Sequence, residues 1–404
     1  MERSDYKKYI ILNFAYGFGP FIKAVETAIR VNDILSKKGH ERLGIIVPLV
    51  YEDRYKKITK ENFDKYIKKY PKEILFDRKI GQYLSEIFYE GESYRKYLRS
   101  FLKSSIFIEK EIKKYLKGTL KSEDLQGNIF KIKGKNIMME IGRSPRINFG
   151  IALKYYFGFA NMSDVFSNFL LEYNDLTDLD KKILKEAVIF YKKLEKKCNI
   201  NFISEPGTFY YIKKKIYNNY SKQTIFTPPH SESFLIFNKN KHKSNASLKK
   251  GVYITVSGIP NIKKVFKKIP NLNLKIYTNN RETLSVGKNE SPNIIGDKNI
   301  LFHIARSGWG SVWRSLLTET PFIAFPYDKE DDPEIYFNNK CIEDLGIGLI
   351  FESQTSNEIF LFRNKYIEKV KKLKSDLIKK YDTLDGIQYL SERIVDHFSE
   401  TKLK

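Results

Sequence analysis

A chain of 404 residues is too long for one core of ordinary size, and two domains are the default expectation. Hydrophobic residues make up 42% and aromatic residues 14%, which excludes a disordered chain. Lysine and arginine number 72 against 48 aspartate and glutamate, a formal charge of +24; such a field draws polyanions, phosphorylated substrates and anionic membrane surfaces, while the even scatter of the lysines also fits compositional drift.

From the N-terminus, Met1 to Lys8 mixes charges of both signs and runs straight into a strand-like stretch, without the form of a signal peptide. Tyr9 to Phe14 reads as a buried strand, Ala15 to Pro20 as a glycine-bearing turn, and Phe21 to Leu35 as a helix with one apolar face. Lys37-Lys38-Gly39 stops that helix, and Leu43 to Val50 is a second buried strand. Strand, turn, helix and strand form a βαβ unit and predict a parallel sheet with right-handed crossovers.

From Tyr51 to about Gly118 the pattern is mostly helical, charged and rich in tyrosine. Its part from Tyr89 to Lys117 mixes aromatic residues with Lys and Arg, as a plain amphipathic helix or a face for an anionic membrane would. Asn136 to Ile141 and Asn201 to Ser204 read as strands, and Asp180 to Lys196 as a helix. Thr227-Pro228-Pro229-His230 breaks any element, and the polar run up to Lys250 suits a linker.

The βα alternation then restarts. Gly251 to Val256 is a strand, Ile262 to Lys268 a helix, and Leu274 to Thr278 and Asn299 to Ala305 are strands. Val312 to Leu317 is a helix, Pro321 to Pro326 a strand, Tyr336 to Leu345 a helix, and two terminal helices close the chain. The expected architecture is α/β with two Rossmann-like halves: an acceptor-side domain at 1–228 with a helical insertion, a linker at 229–250, a nucleotide-binding domain at 251–362, and helices at 363–404 packing back across both.

Cys198 and Cys341 are far apart and lack metal-ligand spacing, so neither a disulfide framework nor a zinc site is expected. Apolar runs are broken by Lys154, Asp164 and Glu172 before the ~20 residues that a membrane span needs. The expectation is a cytoplasmic protein with peripheral contact at the inner membrane face. None of the common nucleic-acid-binding motifs occurs, and no nucleic-acid partner is expected.

Chemistry concentrates between His303 and Gly348. In open parallel sheets, ligands sit beyond the C-terminal ends of the strands, and Arg306-Ser307-Gly308-Trp309-Gly310-Ser311 falls there, between a strand and a helix. Gly308 and Gly310 let backbone approach a ligand, and unpaired amides at the helix start suit a diphosphate. Ser311 adds a hydroxyl and Arg306 a charge. A plain strand-to-helix turn explains the same glycines. Downstream, Asp331-Asp332-Pro333-Glu334 precedes a helix carrying Asn338 and Asn339. A carboxylate there accepts sugar hydroxyls, or caps the helix, or different members do both.

These residues resemble the donor-binding signature of the GT-B glycosyltransferases, the superfamily of the UDP-glycosyltransferases, the MurG transferase and the monogalactosyldiacylglycerol synthases. Ser307 to Ser311 matches its glycine turn, Pro321 to Pro326 its strand, Glu334 or Asp332 its acidic position, Asn338 its asparagine and Gly346-Ile347-Gly348 its closing glycines. The resemblance implies a diphosphate held at Ser307 to Ser311, a sugar or ribose at Glu334, and Ser257-Gly258 as an inter-domain loop meeting the donor. It implies a metal-independent transferase using a nucleotide-sugar, UDP-linked above all, as a substrate rather than a cofactor, with an acceptor of lipid or glycan type.

Two positions depart from the pattern: Arg306 stands where a histidine is common, and Arg314 where a glutamate often meets the ribose. The loop after the first strand, with Gly17 and Gly19 shaping the acceptor side, lacks the histidine base of relatives. Glu26, Glu52 and Asp53 are the candidate carboxylates for that role, though a solvated surface charge is the more common use of each. His230 and His303 read as structural. A nucleotide-sugar epimerase or hydrolase of the same fold is the neighbouring enzymatic reading, and a non-catalytic basic module for nucleic acid or anionic membrane the non-enzymatic one.

Overall fold

The computed structural model describes residues 6–89, 93–209, 224–231, 248–256, 266, 272–352 and 354–402. The first half contains β1 (Tyr9–Phe14), α1 (Phe18–Lys37), β2 (Gly44–Pro48), α2 (Glu52–Lys69), β3 (Ile74–Asp77), α3 (Arg78–Ser85) and α4 (Tyr94–Leu116). It continues with β4 (Thr119–Glu123), β5 (Ile129–Lys133), β6 (Ile137–Arg143), β7 (Leu153–Gly158), α5 (Met162–Glu172), α6 (Asp178–Glu195), β8 (Ile200–Ser204) and β9 (Thr224–Thr227). These strands form one sheet in the order β5-β4-β3-β2-β1-β6-β7-β8-β9. Its pairs are parallel except β3 with β4 and β4 with β5.

The second half carries β10 (Gly251–Thr255), β11 (Lys275–Thr278), α7 (Arg281–Leu284), β12 (Lys288–Asn289), β13 (Ile300–Ala305), α8 (Trp309–Thr318), β14 (Phe322–Ala324), α9 (Pro333–Asp344) and β15 (Leu349–Ile350). Its sheet is wholly parallel in the order β12-β11-β10-β13-β14-β15. In each half the strand order reverses beside the first strand, at β1/β6 and at β10/β13. Those switch points are where open α/β sheets leave a crevice for ligands.

The central strands β1 and β2 are buried on both faces, and YIILNF is accordingly an almost continuous apolar run broken by Asn13. β4 and β5 form a hairpin with alternating exposed and buried residues, just beyond the stretch expected to be mostly helical and where the sequence reading assigned no element. β3 lies inside the Tyr51 to Gly118 stretch expected to be mostly helical, and β7 was also unforeseen.

α10 (Ser356–Tyr381) packs Tyr366, Val370 and Leu377 into the second core, whereas α11 (Gly386–Lys402) returns Ile387, Leu390, Ile394 and Phe398 to the first. The return is held by Lys38 Nζ to Asp396 Oδ1 at 2.6 Å and by Tyr155 Oη to His397 Nδ1 at 2.9 Å. The two passages of the chain between the halves touch, for the Gly386 amide donates to the Pro229 carbonyl at 3.2 Å. His230, next to that contact, is fully buried against Trp313 and Phe157. Ser257, Gly258 and most of the helix expected at 262–268 lie outside the described residues.

Candidate active site in the cleft

α8 begins earlier than its sequence suggested, so Trp309, Gly310 and Ser311 form its first turn instead of a preceding loop. Gly308 is the N-cap, with no side-chain cap and no acidic residue in the first turn. The Trp309 and Gly310 amides therefore have no intrahelical acceptor and carry the positive end of the helix dipole. A Cβ added at Gly308 or Gly310 would meet nothing within 4 Å, so open space lies before both glycines. Ser307 is fully buried, and its Oγ has no hydrogen-bond partner among the described residues.

The other half offers a similar helix start. α1 is capped by Gly17 at φ 91°, without a side-chain cap or a first-turn acid, and a Cβ at Gly19 would also meet nothing within 4 Å. Lys23 on α1 places its Nζ 5.8 Å from the Trp313 ring of α8. Each half thus has a glycine-capped helix start, and α1 and α8 meet where Lys23 lies over Trp313.

Asn338 fixes the geometry of the glycine turn. Its Nδ2 donates to the Ser307 carbonyl and to Glu334 Oε1, each at 2.9 Å, and its Oδ1 accepts from Trp309 Nε1 at 2.8 Å. The Trp309 indole also donates to Thr208 Oγ1 at 3.2 Å, and Trp313 Nε1 donates to the Pro206 carbonyl at 3.0 Å. Both indoles are fully buried against this segment of the first half. The side chain of Trp309 is thus an inter-half contact, while its backbone faces the open space.

The acidic cluster divides its roles. Asp331 takes the Arg306 guanidinium in a two-pronged pair, with Nε to Oδ2 at 2.9 Å and Nη2 to Oδ1 at 2.5 Å. Asp332 caps α9 by accepting from the Glu334 amide at 3.0 Å, and its other oxygen accepts from Tyr16 Oη at 3.1 Å. Glu334 is buried, and desolvation, with the Asp332 charge behind it, pushes its carboxyl up to about 7. The Asn338 amide, Arg306 and Arg143 act the other way on it.

Arg143, at the end of β6, is a site residue that sequence reading missed, since nothing local marks it. It is buried over the Phe159 ring at 4.4 Å, donates to the Phe157 carbonyl at 3.2 Å, and faces the charge of Glu334. Burial lowers it to about 10. Tyr16 was read as part of a loop; it is packed against Tyr89, Tyr97 and Arg146, and burial, followed by the Asp332 charge, holds its hydroxyl protonated.

Of the carboxylates expected near the acceptor, Glu26 is buried on α1, whereas Glu52 and Asp53 start α2 in the open, the Asp53 side chain 87% exposed. His303 lies buried between Ser315 Oγ at 2.7 Å and Thr255 Oγ1 at 2.9 Å, and burial lowers it to about 3. His230 is likewise held neutral by burial and by Arg143 and Lys23. No cluster of potential metal ligands occurs among the described residues, and no described helix is long and apolar enough to cross a membrane.

No protein-family model matches the chain, and no curated protein matches it by sequence. Solved structures match it over nearly its whole length. TcCGT1 in complex with UDP is 11% identical, covers 97% of this chain and 99% of its own, and superposes with a TM-score of 0.58. Arabidopsis thaliana UGT89C1 complexed with UDP-L-rhamnose is 11% identical over 97% and 100%, with a TM-score of 0.57. The glycotransferase of kitacinnamycin is 10% identical over 96% and 98%, also at 0.57.

The fold is therefore GT-B: two Rossmann-like halves facing each other across a cleft, as the 303–348 stretch led one to expect. Among such folds, the neighbours named here are structures of a glycotransferase and of proteins holding UDP or a UDP-sugar.

Proposed function

We propose that the chain is a glycosyltransferase that takes a sugar from a nucleotide-sugar, UDP-linked above all, and passes it to an acceptor. The half beginning at Gly251 holds the donor, and residues 1–228 face the acceptor. The carrying observation is the start of α8: an uncapped helix end, open space before Gly308 and Gly310, and a buried Ser307 hydroxyl with no partner among the described residues. Backbone amides there receive the diphosphate. Arg306, Ser311 and the loop at Ser257-Gly258 complete its surroundings, and Asp332 or Glu334 accepts hydroxyls of the sugar.

In the transfer, the bond between the anomeric carbon and the β-phosphate oxygen breaks, and the diphosphate leaves with the electron pair. The acceptor oxygen bonds to that carbon and yields its proton to a base. The helix terminus and the arginines offset the leaving charge, so the reading assigns that work to the protein and not to a metal ion. Glu26 is the buried carboxylate nearest in sequence to the Gly17 and Gly19 loop. Peripheral contact with an anionic membrane on the cytoplasmic side belongs to the same reading, supported by the charge of +24 and by Phe107, 62% exposed on α4.

Calorimetric titration with UDP and a panel of nucleotide-sugars tests the reading. Saturable binding that weakens at least tenfold in Gly310→Val and Glu334→Gln supports it. No binding of any nucleoside diphosphate or nucleotide-sugar overturns it, and donor turnover without acceptor assigns the fold to the hydrolase or epimerase reading instead.

A further inference from the structure

Outside the cleft, α4 and α6 lie side by side and run the same way: Arg95 pairs with Asp180 at 2.9 Å near both starts, and Phe101 meets Phe190 at 5.3 Å further along. Between them runs a furrow of about 810 Å³, within the size range of ligand sites. Leu102, Ile106, Ile189 and Phe190 line one end of it, and Ile106 and Ile189 are 71% and 56% exposed. Lys110, Lys114, Lys117, Lys193 and Lys197 line the other end. From Leu102 to Lys117 the helix rises about 22 Å.

Two facts describe the charge of this furrow. Three of the six lysines of α2 are matched, Lys56 to Glu123, Lys57 to Glu61 and Lys68 to Asp64. Those five in the furrow have no carboxylate partner among the described residues, and of the two glutamates lining it, Glu109 is taken by Lys113 and the Asn148 amide. Along the furrow the apolar residues, with the exposed Glu186 beside them, come first and the lysines after, an order that a flat bilayer does not match and a single amphiphile does.

We propose that the α4–α6 furrow binds one long-chain fatty acid, its tail over Ile106 and Ile189 and its carboxylate among the lysines. The inference is independent of the donor reading, because no residue of the furrow belongs to the cleft site.

The test is titration of the full chain with cis-parinaric acid, a fluorescent fatty acid, below its critical micelle concentration. Expected are saturable binding of one molecule per chain, displacement by palmitate, and no displacement by hexadecyltrimethylammonium. Ile106→Asp with Ile189→Asp, and separately Lys114→Glu with Lys117→Glu and Lys193→Glu, each weaken binding at least tenfold. Lys57→Glu with Lys65→Glu and Lys69→Glu, the same charge change on α2, leaves it unchanged. All these positions are exposed, and an unchanged unfolding midpoint verifies each variant. Non-saturable binding, equal competition by the cationic amphiphile, or equal loss in the α2 variant overturns the proposal. So does association with anionic vesicles but not with the free acid, which would assign the surface to a bilayer. UDP affinity, measured on the same samples, judges the donor reading separately.

Discussion

Tyr16, in the first loop of the N-terminal sheet, donates its hydroxyl across the cleft to Oδ2 of Asp332, the residue that caps α9 with its other oxygen. One carboxylate thus ends a helix in one half and receives a bond from the other. Tyr16→Phe removes the bridge and leaves the cap, so we expect a loss of about 1 kcal/mol in urea unfolding. Asp332→Ala loses cap and bridge together, about 1–3 kcal/mol. A double-mutant cycle between the two sites returns the coupling, and a value near zero would remove the bridge from the account.

The two cleft glycines behave unlike glycines of the core. A Cβ at Gly310 meets open space, whereas one at Gly81 would sit 2.2 Å from the Leu49 carbonyl oxygen. Gly310→Ala is therefore neutral or stabilising by up to about 1 kcal/mol, since alanine favours the helix. Gly81→Ala forces backbone to move and destabilises. Thermal unfolding of the pair decides this, and UDP affinity falls in Gly310→Val while its unfolding midpoint stays near that of the parent.

Glu334 has a folded-state pKa raised to about 7 from the ordinary 4.5 by burial. The folded chain binds this proton more tightly than the unfolded chain, so the residue costs stability at pH 8, and the cost fades as pH falls from 7 towards 4.5. Glu334→Gln keeps the oxygen that Asn338 bonds and removes the charge. We expect it to stabilise by about 1–3 kcal/mol at pH 8 and to lose that advantage near pH 4.5. Urea unfolding at both pH values checks it; an equal effect at both would show that charge is not the cause.

Arg306 and Asp331 are a two-pronged ion pair, Asp331 buried and Arg306 half-buried, and breaking it from one side leaves a largely desolvated bare charge. Arg306→Ala should cost about 2–4 kcal/mol, less than for a fully buried pair because Arg306 keeps some contact with solvent, and Arg306→Ala with Asp331→Ala should cost less than Arg306→Ala alone. Loss of donor affinity in Arg306→Ala therefore bears on diphosphate contact only where the variant remains folded under the conditions of the titration.

What sequence reading recovered, it recovered where local pattern decides the outcome. β1, α1 and β2 are a continuous apolar run, a helical stripe and another apolar run, and their ends lie within a few residues of those expected. The 303–348 stretch was equally plain, because glycine and proline punctuate it. The misses have physical causes. β7 is LKYYFG, whose Lys154 reads as a surface residue, yet it is buried with its amine on the Ile151 carbonyl. The burial of Trp309 depends on Thr208, about a hundred residues away, and no local window contains that contact. Arg143 and Arg146 read as ordinary cations until the fold sets them beneath Glu334 and Tyr16.

The contact between Pro229 and Gly386 places both crossings of the backbone at a single point. A Cβ at Gly386 would lie 2.2 Å from the Pro228 carbonyl oxygen, so the two strands of the crossing are already in touch. A rotation of the halves about this spot would displace each atom in proportion to its distance from it. The Tyr16–Asp332 bond is one of several links between the halves, beside Trp309 to Thr208, Trp313 to the Pro206 carbonyl and Lys340 to Glu172, so any parting of the halves strains several bonds at once.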